Sequence, residues 1–131
     1  DVKGMKITKN FSKSEFDSKD GAIMPGEVLN NLKKFAAATL QPLRDEVGAL
    51  IVNSGYRSPS HNASEGGASR SYHLYDRAGV GAADVRSPHH TPKELYAIAK
   101  RKMDAGEIPK GGLKAYRTFL HIDNRGHFAT W

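Results

Sequence analysis

An α+β domain, with helices packed on a small antiparallel sheet, is the class that this 131-residue sequence predicts, and three observations carry the prediction. Apolar residues recur at three-and-four spacing from Val28 to Val47, the signature of a helix with one buried face, and a second helix is marked by start and stop signals at Thr91 and Gly106. Short strand-like runs, "ALIVN" and "AADV", alternate with those helices. Two further runs, "YRTFLHID" and "HFATW", are separated only by "NRG", a turn signal.

In chain order, Ser12 stands three residues before Glu15, a capping box for a short helical turn whose Phe11 and Phe16 dock on the core. The first long helix carries Val28, Leu29, Leu32, Phe35, Ala36, Leu40, Leu43 and Val47 on one side; Pro42 is expected to kink or break it near Gln41, and Gly48 ends it. Residues 49–53 then read as a buried strand. From Ser54 to Ser71 the composition turns to Gly, Ser, Pro and Asn, a long internal loop of the kind that carries function. A second strand follows at Ala82 to Val85, then a helix with Thr91 as cap, Pro92 at its first position and Glu94 completing the box, stopped at Gly106. Tyr116–Asp123 and His127–Trp131 are expected to close the chain as a terminal hairpin.

The length suits one domain, taken as residues 6–131, with residues 1–5 set apart as a flexible or processing remnant because Met5 looks like a natural start. With no cysteine, disulfides and thiolate metal sites are excluded, so a transition metal must be held by His and carboxylates. A net charge of +6 favours polyanionic partners, among which nucleic acid, anionic lipid and bacterial cell wall qualify. No run of apolar residues is long enough to cross a membrane, so no membrane insertion is expected, and no export signal is visible. The expected state is a monomer.

Six histidines are present, and spacing separates them. Strand alternation in "FLHID" puts His121 and Asp123 on one face with Phe119, while Leu120 and Ile122 point the other way. A polar pair on such a strand requires a partner, either a metal or a hydrogen-bonded network. In "SRSYHLYDRAGVGAADVRS", small residues separate His73 from Asp84, and two readings stand: both side chains converge on a shared object such as a metal ion, or the stretch is a mobile surface loop. His61, His89, His90 and His127 read as surface or cap-adjacent residues, and Tyr56, Tyr72, Tyr116 and Trp131 as core or cleft walls.

Taken together, "SGYRSPSHN", "GGASRSYH", "GAADV", "GGLKAYRTFLHIDNRG" and the final Trp131 resemble the zinc peptidases of the D-alanyl-D-alanine carboxypeptidase group, whose fold is shared with the hedgehog signalling domain. The likeness is nearest to small phage-encoded cell-wall peptidases and runs from about Lys6 to Trp131. It implies one Zn2+ ion held by His73, Asp84 and His121, with Ser71 in the Ser-x-His element. Two His and one carboxylate leave a fourth tetrahedral position open, as in catalytic sites. The resemblance further implies that Arg57 binds a substrate carboxylate or stabilises an oxyanion, a task suited to a permanently charged, forked donor. Ser71 and Tyr116 are expected to contact substrate.

Two departures from that group matter. Its aspartate follows the histidine by about seven residues, whereas Asp84 follows His73 by eleven; by loop-closure scaling the longer loop costs only about 0.4 kcal/mol. Asp84 is therefore kept as the second ligand, with Asp76 as the alternative. Several branches also carry an acid three residues before the last zinc histidine, where Thr118 stands here. Asp123 is the nearest replacement, as general base or as an orienting acceptor behind His121. The expected function is hydrolysis of peptide bonds next to D-amino acids in peptidoglycan stems or crosslinks, by an enzyme made in a host bacterial cytoplasm and acting on the wall or periplasm. A catalytically inactive wall- or protein-binding module is the rival, and a nucleic-acid-binding protein rests on charge alone.

Overall fold

In the computed structural model, which describes residues 5–64 and 71–131, the capping box forms as expected. Strands β1 (Lys6–Thr8) and β2 (Phe11–Ser12) make a small ribbon. The Ser12 amide donates to Glu15 at 2.7 Å, opening a 3-10 turn over Lys13–Phe16 that buries both phenylalanines. Residues 1–4 and 65–70 lie outside the described residues, so most of the proposed N-terminal remnant and part of the Gly/Ser-rich loop are not characterised.

The long apolar run becomes α1 (Gly26–Phe35), a π turn over Ala36–Leu40, and α2 (Gln41–Val47). Pro42 lacks an amide hydrogen, and the ladder widens just before it: Gln41 N–H donates to Ala36 C=O, five residues back. The kink expected at the proline is thus absorbed one turn earlier without breaking the buried stripe of Leu32, Phe35, Leu40 and Leu43. Gly48, at φ +82°, ends the run.

Strands β3 (Ile51–Ser54), β4 (Ala82–Arg86), β5 (Leu113–Ala115) and β6 (Leu120–Asp123) form an antiparallel sheet in the order β3-β4-β6-β5. Helix α4 (Pro92–Asp104) starts on Thr91, whose hydroxyl accepts from the Glu94 amide while Glu94 accepts from Thr91 N–H. The helices cover the face bearing Ala83, Val85, Leu113, Leu120 and Ile122, all fully buried. The α+β class expected from the sequence is the class observed.

Three local expectations are corrected. The strand after Gly48 is an edge rather than a buried strand, because β3 pairs only with β4, and Ile51 is exposed. The loop from Ser54 contains a short helix, α3 (Pro59–Ser64), which starts on Ser58: the Ser58 hydroxyl accepts from His61 N–H. The terminal hairpin is made by β5 and β6, not by residues 127–131, since both edges of β6 are already taken by β4 and β5. Residues 127–131 instead run beside the start of β5, held by a parallel Gly112–Ala129 bridge.

Register decides what the opposite face carries. Ser54 stands opposite Asp84, Asp84 opposite His121, and His121 opposite Lys114, so four polar residues form one row across four strands. Directly opposed residues share a face. None of the described helices is long and apolar enough to cross a membrane.

Candidate metal centre

His73 sits on a 3-10 turn over Tyr72–Leu74 that Ser71 opens, its hydroxyl accepting from His73 N–H at 3.1 Å. The His73 ring is held by Gly55 C=O, 2.8 Å from Nδ1. A carbonyl only accepts, so a neutral His73 carries its proton on Nδ1 and presents a lone pair at Nε2. That Nε2 lies 3.3 Å from Asp84 Oδ1, and His121 Nδ1 lies 3.1 Å from the same oxygen. One donor atom from each of the three buried residues falls within 4.8 Å of the others.

Asp76, the alternative ligand, is exposed and outside this group, so the longer loop has not displaced Asp84. The loop folds into a small turn with an Arg77–Val80 bridge, clamped by two asparagines. Asn31 donates to Tyr75 C=O and accepts from Gly79 N–H; Asn124 donates to Gly79 C=O and accepts from Gly81 N–H. Tyr75, at φ +52°, turns its ring into the core and donates its hydroxyl to Ala82 C=O at 2.5 Å. Gly81 is required beside it, because a Cβ there would lie 2.2 Å from the Tyr75 ring. The expected convergence of His73 and Asp84 therefore occurs, and the mobile-loop alternative does not describe residues 71–87.

Behind His121, away from Asp84, lies Asp123, with no exposed surface. His121 Nε2 is 2.8 Å from Asp123 Oδ2, which also accepts from Arg125 Nη2 at 2.7 Å. Oδ1 accepts from Gly112 N–H, Arg125 N–H and Arg125 Nε at 2.8, 3.1 and 3.0 Å. Burial alone would raise the Asp123 carboxyl, but the hydrogen bonds from His121, Arg125 and Gly112 outweigh it and hold the group well below the usual carboxylate range. Burial likewise opposes ionisation of Asp84, but the His121 and His73 rings beside it, which donate to it when protonated, outweigh burial and hold the carboxyl below the usual carboxylate range. Gly112 permits the arrangement: a Cβ there would meet Asp123 Oδ2 at 2.5 Å.

Arg57 leans over the group from the loop after β3, its Nη2 3.4 Å from Asp84 Oδ2 and its Nε 3.3 Å from Ser54 Oγ. Its own N–H donates to His73 C=O, tying the arginine loop to the histidine turn. A cavity of about 350 Å3 opens above the three candidate ligands, with Arg57 and Ser71 on one side. Tyr116, Phe119 and Trp131 complete the wall. Tyr116 and Phe119 stack at 4.7 Å, and Trp131 meets the His121 ring edge-on at 5.3 Å while donating its indole N–H to the Tyr116 hydroxyl.

Asp123 is not part of that wall, and Thr118 is exposed on the turn before β6, leaving Asp84 as the only carboxylate lining the cavity among the described residues. His61, His89, His90 and His127 stay outside the group. Tyr56 is buried in the core, but Tyr72 is neither core nor cleft wall: its ring lies between the guanidinium groups of Arg77 and Arg125, at 4.1 and 4.6 Å. Sequence reading missed Arg125, taken only as part of a turn, and the clamping asparagines Asn31 and Asn124. The partners of the two asparagines are distant in sequence, so no local pattern marks them, whereas Arg125 lies only two residues from Asp123 and was hidden by its place in the turn.

Two imidazole nitrogens and one carboxylate oxygen, set by fixed ring orientations beneath an open cavity, form the donor set of a catalytic rather than a structural zinc site. A donor set of this kind on an α+β scaffold fits a metal-dependent hydrolase. The chain belongs to the peptidase M15 family, whose model matches residues 9–123. Members of this family are zinc-dependent metallopeptidases, and the His73, Asp84 and His121 group fits the ion they use. Among curated proteins, none matches the chain.

Proposed function

We propose that this protein is a zinc metallopeptidase that cleaves amide bonds next to D-amino acids in peptidoglycan stems or crosslinks, as small phage-encoded wall peptidases do. The observation that carries the reading is the convergence of His73, Asp84 and His121 under a cavity into which Arg57 also reaches. A zinc ion held there supplies Lewis-acid polarisation of the scissile carbonyl and acidifies water at neutral pH.

The chain's own residues supply the rest. Arg57 offers the paired donors of its guanidinium to a substrate carboxylate or to the oxygen on which negative charge develops. Ser71 and Tyr116 line the same cavity and are assigned to substrate contact. Asp123 takes the orienting role: with His121 between it and the cavity, it fixes the ring through Nε2 and leaves Nδ1 free for the ion. Among the described residues no carboxylate other than Asp84 lines the cavity, so the reading assigns no separate carboxylate base from them.

Incubation of the zinc-loaded protein with purified wall stem peptides, followed by mass spectrometry of the products, tests this reading. Cleavage beside a D-residue, abolished by a chelator and restored by zinc, is the expected result. Saturable binding of the same peptides without any cleavage would instead establish the inactive binding module, the reading that Thr118 in place of an acid favours.

A further inference from the structure

Trp131 has two sides. One closes the metal cavity; the other lines a second cavity of about 280 Å3 whose wall includes Lys93, Tyr96 and Lys114. A third, of about 450 Å3, shares Lys93 and Ala115 with the second and Tyr116 with the metal cavity, and adds Arg117. The three spaces therefore adjoin one another around the aromatic wall through shared lining residues.

The chemistry there is one-sided, because three cations and no Asp or Glu side chain line the outer two cavities among the described residues. Lys114 is fixed by register: it stands opposite His121 on the same face of the sheet, and its ammonium donates to Trp131 C=O. Lys93 and Arg117 are exposed, and no Asp or Glu side chain pairs with either among the described residues. The nearest acid in sequence, Glu94, is engaged by Thr91 N–H in the helix cap and lies 3.9 Å from His90. Tyr96 and Tyr116 provide the apolar surface beside these charges.

We infer that the cationic path of Lys93, Lys114 and Arg117 beyond Trp131 is a second substrate subsite, taking free carboxylates of an acidic peptide whose scissile bond lies at the metal centre. The inference rests on the peptidase reading for what occupies the metal cavity. Its own content is a preference for anionic peptides set by residues outside that cavity. Exposed charge pairs contribute modestly, so two of them together are expected to give about a fivefold preference, weakened by salt.

The test compares two peptides that share a D-residue sequence, one with side-chain carboxylates and one with carboxamides in their place. Binding to the zinc-loaded protein is read from the fluorescence of Trp131, the single tryptophan, and from calorimetry. Cleavage is followed in parallel. The acidic peptide should bind about fivefold more tightly at low salt, and the preference should fall within about twofold in Lys93→Gln/Arg117→Gln, whose exposed positions leave the fold intact. Equal affinities in the wild type, or a preference that survives in the double variant, would overturn the subsite. A preference without cleavage would retire the peptidase reading and keep the subsite, whereas cleavage without a preference would do the reverse.

Discussion

Replacing Asp123 with asparagine separates an orienting carboxylate from a proton-transferring one. Both oxygens accept at least two donors: Gly112 N–H, Arg125 N–H and Arg125 Nε on Oδ1, His121 Nε2 and Arg125 Nη2 on Oδ2. Whichever way the amide is turned, its NH2 meets donors already in place. At least one charge-assisted hydrogen bond is lost, about 1.5–3 kcal/mol. Arg125 also loses its counter-charge, which in a fully buried pair would bring the total toward ~3–5 kcal/mol. Because the Arg125 side chain keeps 17 % of its surface, the lower end applies. For a domain of this size a loss of about 3 kcal/mol lowers the melting temperature by roughly 10 °C. The released His121 ring should also weaken zinc binding by about 10- to 100-fold. Calorimetric melting of the metal-free protein and competition for zinc against a chelator measure the two effects. An Asp123→Asn protein with wild-type melting and wild-type zinc affinity, but turnover reduced about 100-fold or more, would refute the orienting role and place the carboxylate in proton transfer.

Four further outcomes are expected. His73→Ala, Asp84→Ala and His121→Ala should each lose the equimolar zinc measured by metal analysis, whereas Asp76→Ala, altered at an exposed position outside the group, should retain it. Arg57→Lys should keep fold and zinc but lose about 10- to 100-fold in kcat/KM on a stem peptide, since an ammonium cannot reproduce two parallel donors; wild-type turnover would reduce Arg57 to its loop contacts. Gly81→Ala should lower stability by about 1–3 kcal/mol in urea denaturation, because the new methyl meets the buried Tyr75 ring. Asp20 accepts from Ser58 Oγ, Ser18 Oγ and Ala22 N–H, hydrogen bonds that bring its pKa down to about 2. A depressed carboxylate adds stability above its unfolded pKa and loses it as pH falls toward the folded one. The stability difference between wild type and Asp20→Asn should therefore be full at pH above about 5 and vanish near pH 2, as denaturation at several pH values will show.

Local sequence specified the pieces whose physics is local. The capping boxes at Ser12 and Thr91 each satisfy helix-end donors within three residues, so they could be read and were found in place. Strand alternation correctly put His121 and Asp123 on one face and Leu120 and Ile122 on the other, because the period of two belongs to the backbone. The same reasoning failed where pairing partners had to be chosen: "HFATW" has the composition of a strand, yet β6 takes β4 and β5 as neighbours. The choice of edge or centre for residues 51–54 was equally invisible, since it depends on how many strands follow.

By itself, then, the sequence determined the two long helical stretches, the faces of β6, the absence of thiolate ligands and the residue types from which a metal site is drawn. Only the tertiary structure decided that Asp84, rather than Asp76, stands beside His121, a partner 37 residues away whose position follows from the β4–β6 register. It also decided that Gly55 C=O sets the His73 tautomer and that Arg125 engages both Asp123 oxygens. The placement of three cations on the far side of Trp131 was settled in the same way. The pairing of Asp84 with His121 and the seating of His73 on Gly55 depend on one chain segment meeting another, and the energy of such a contact is shared between residues whose spacing along the chain carries no period.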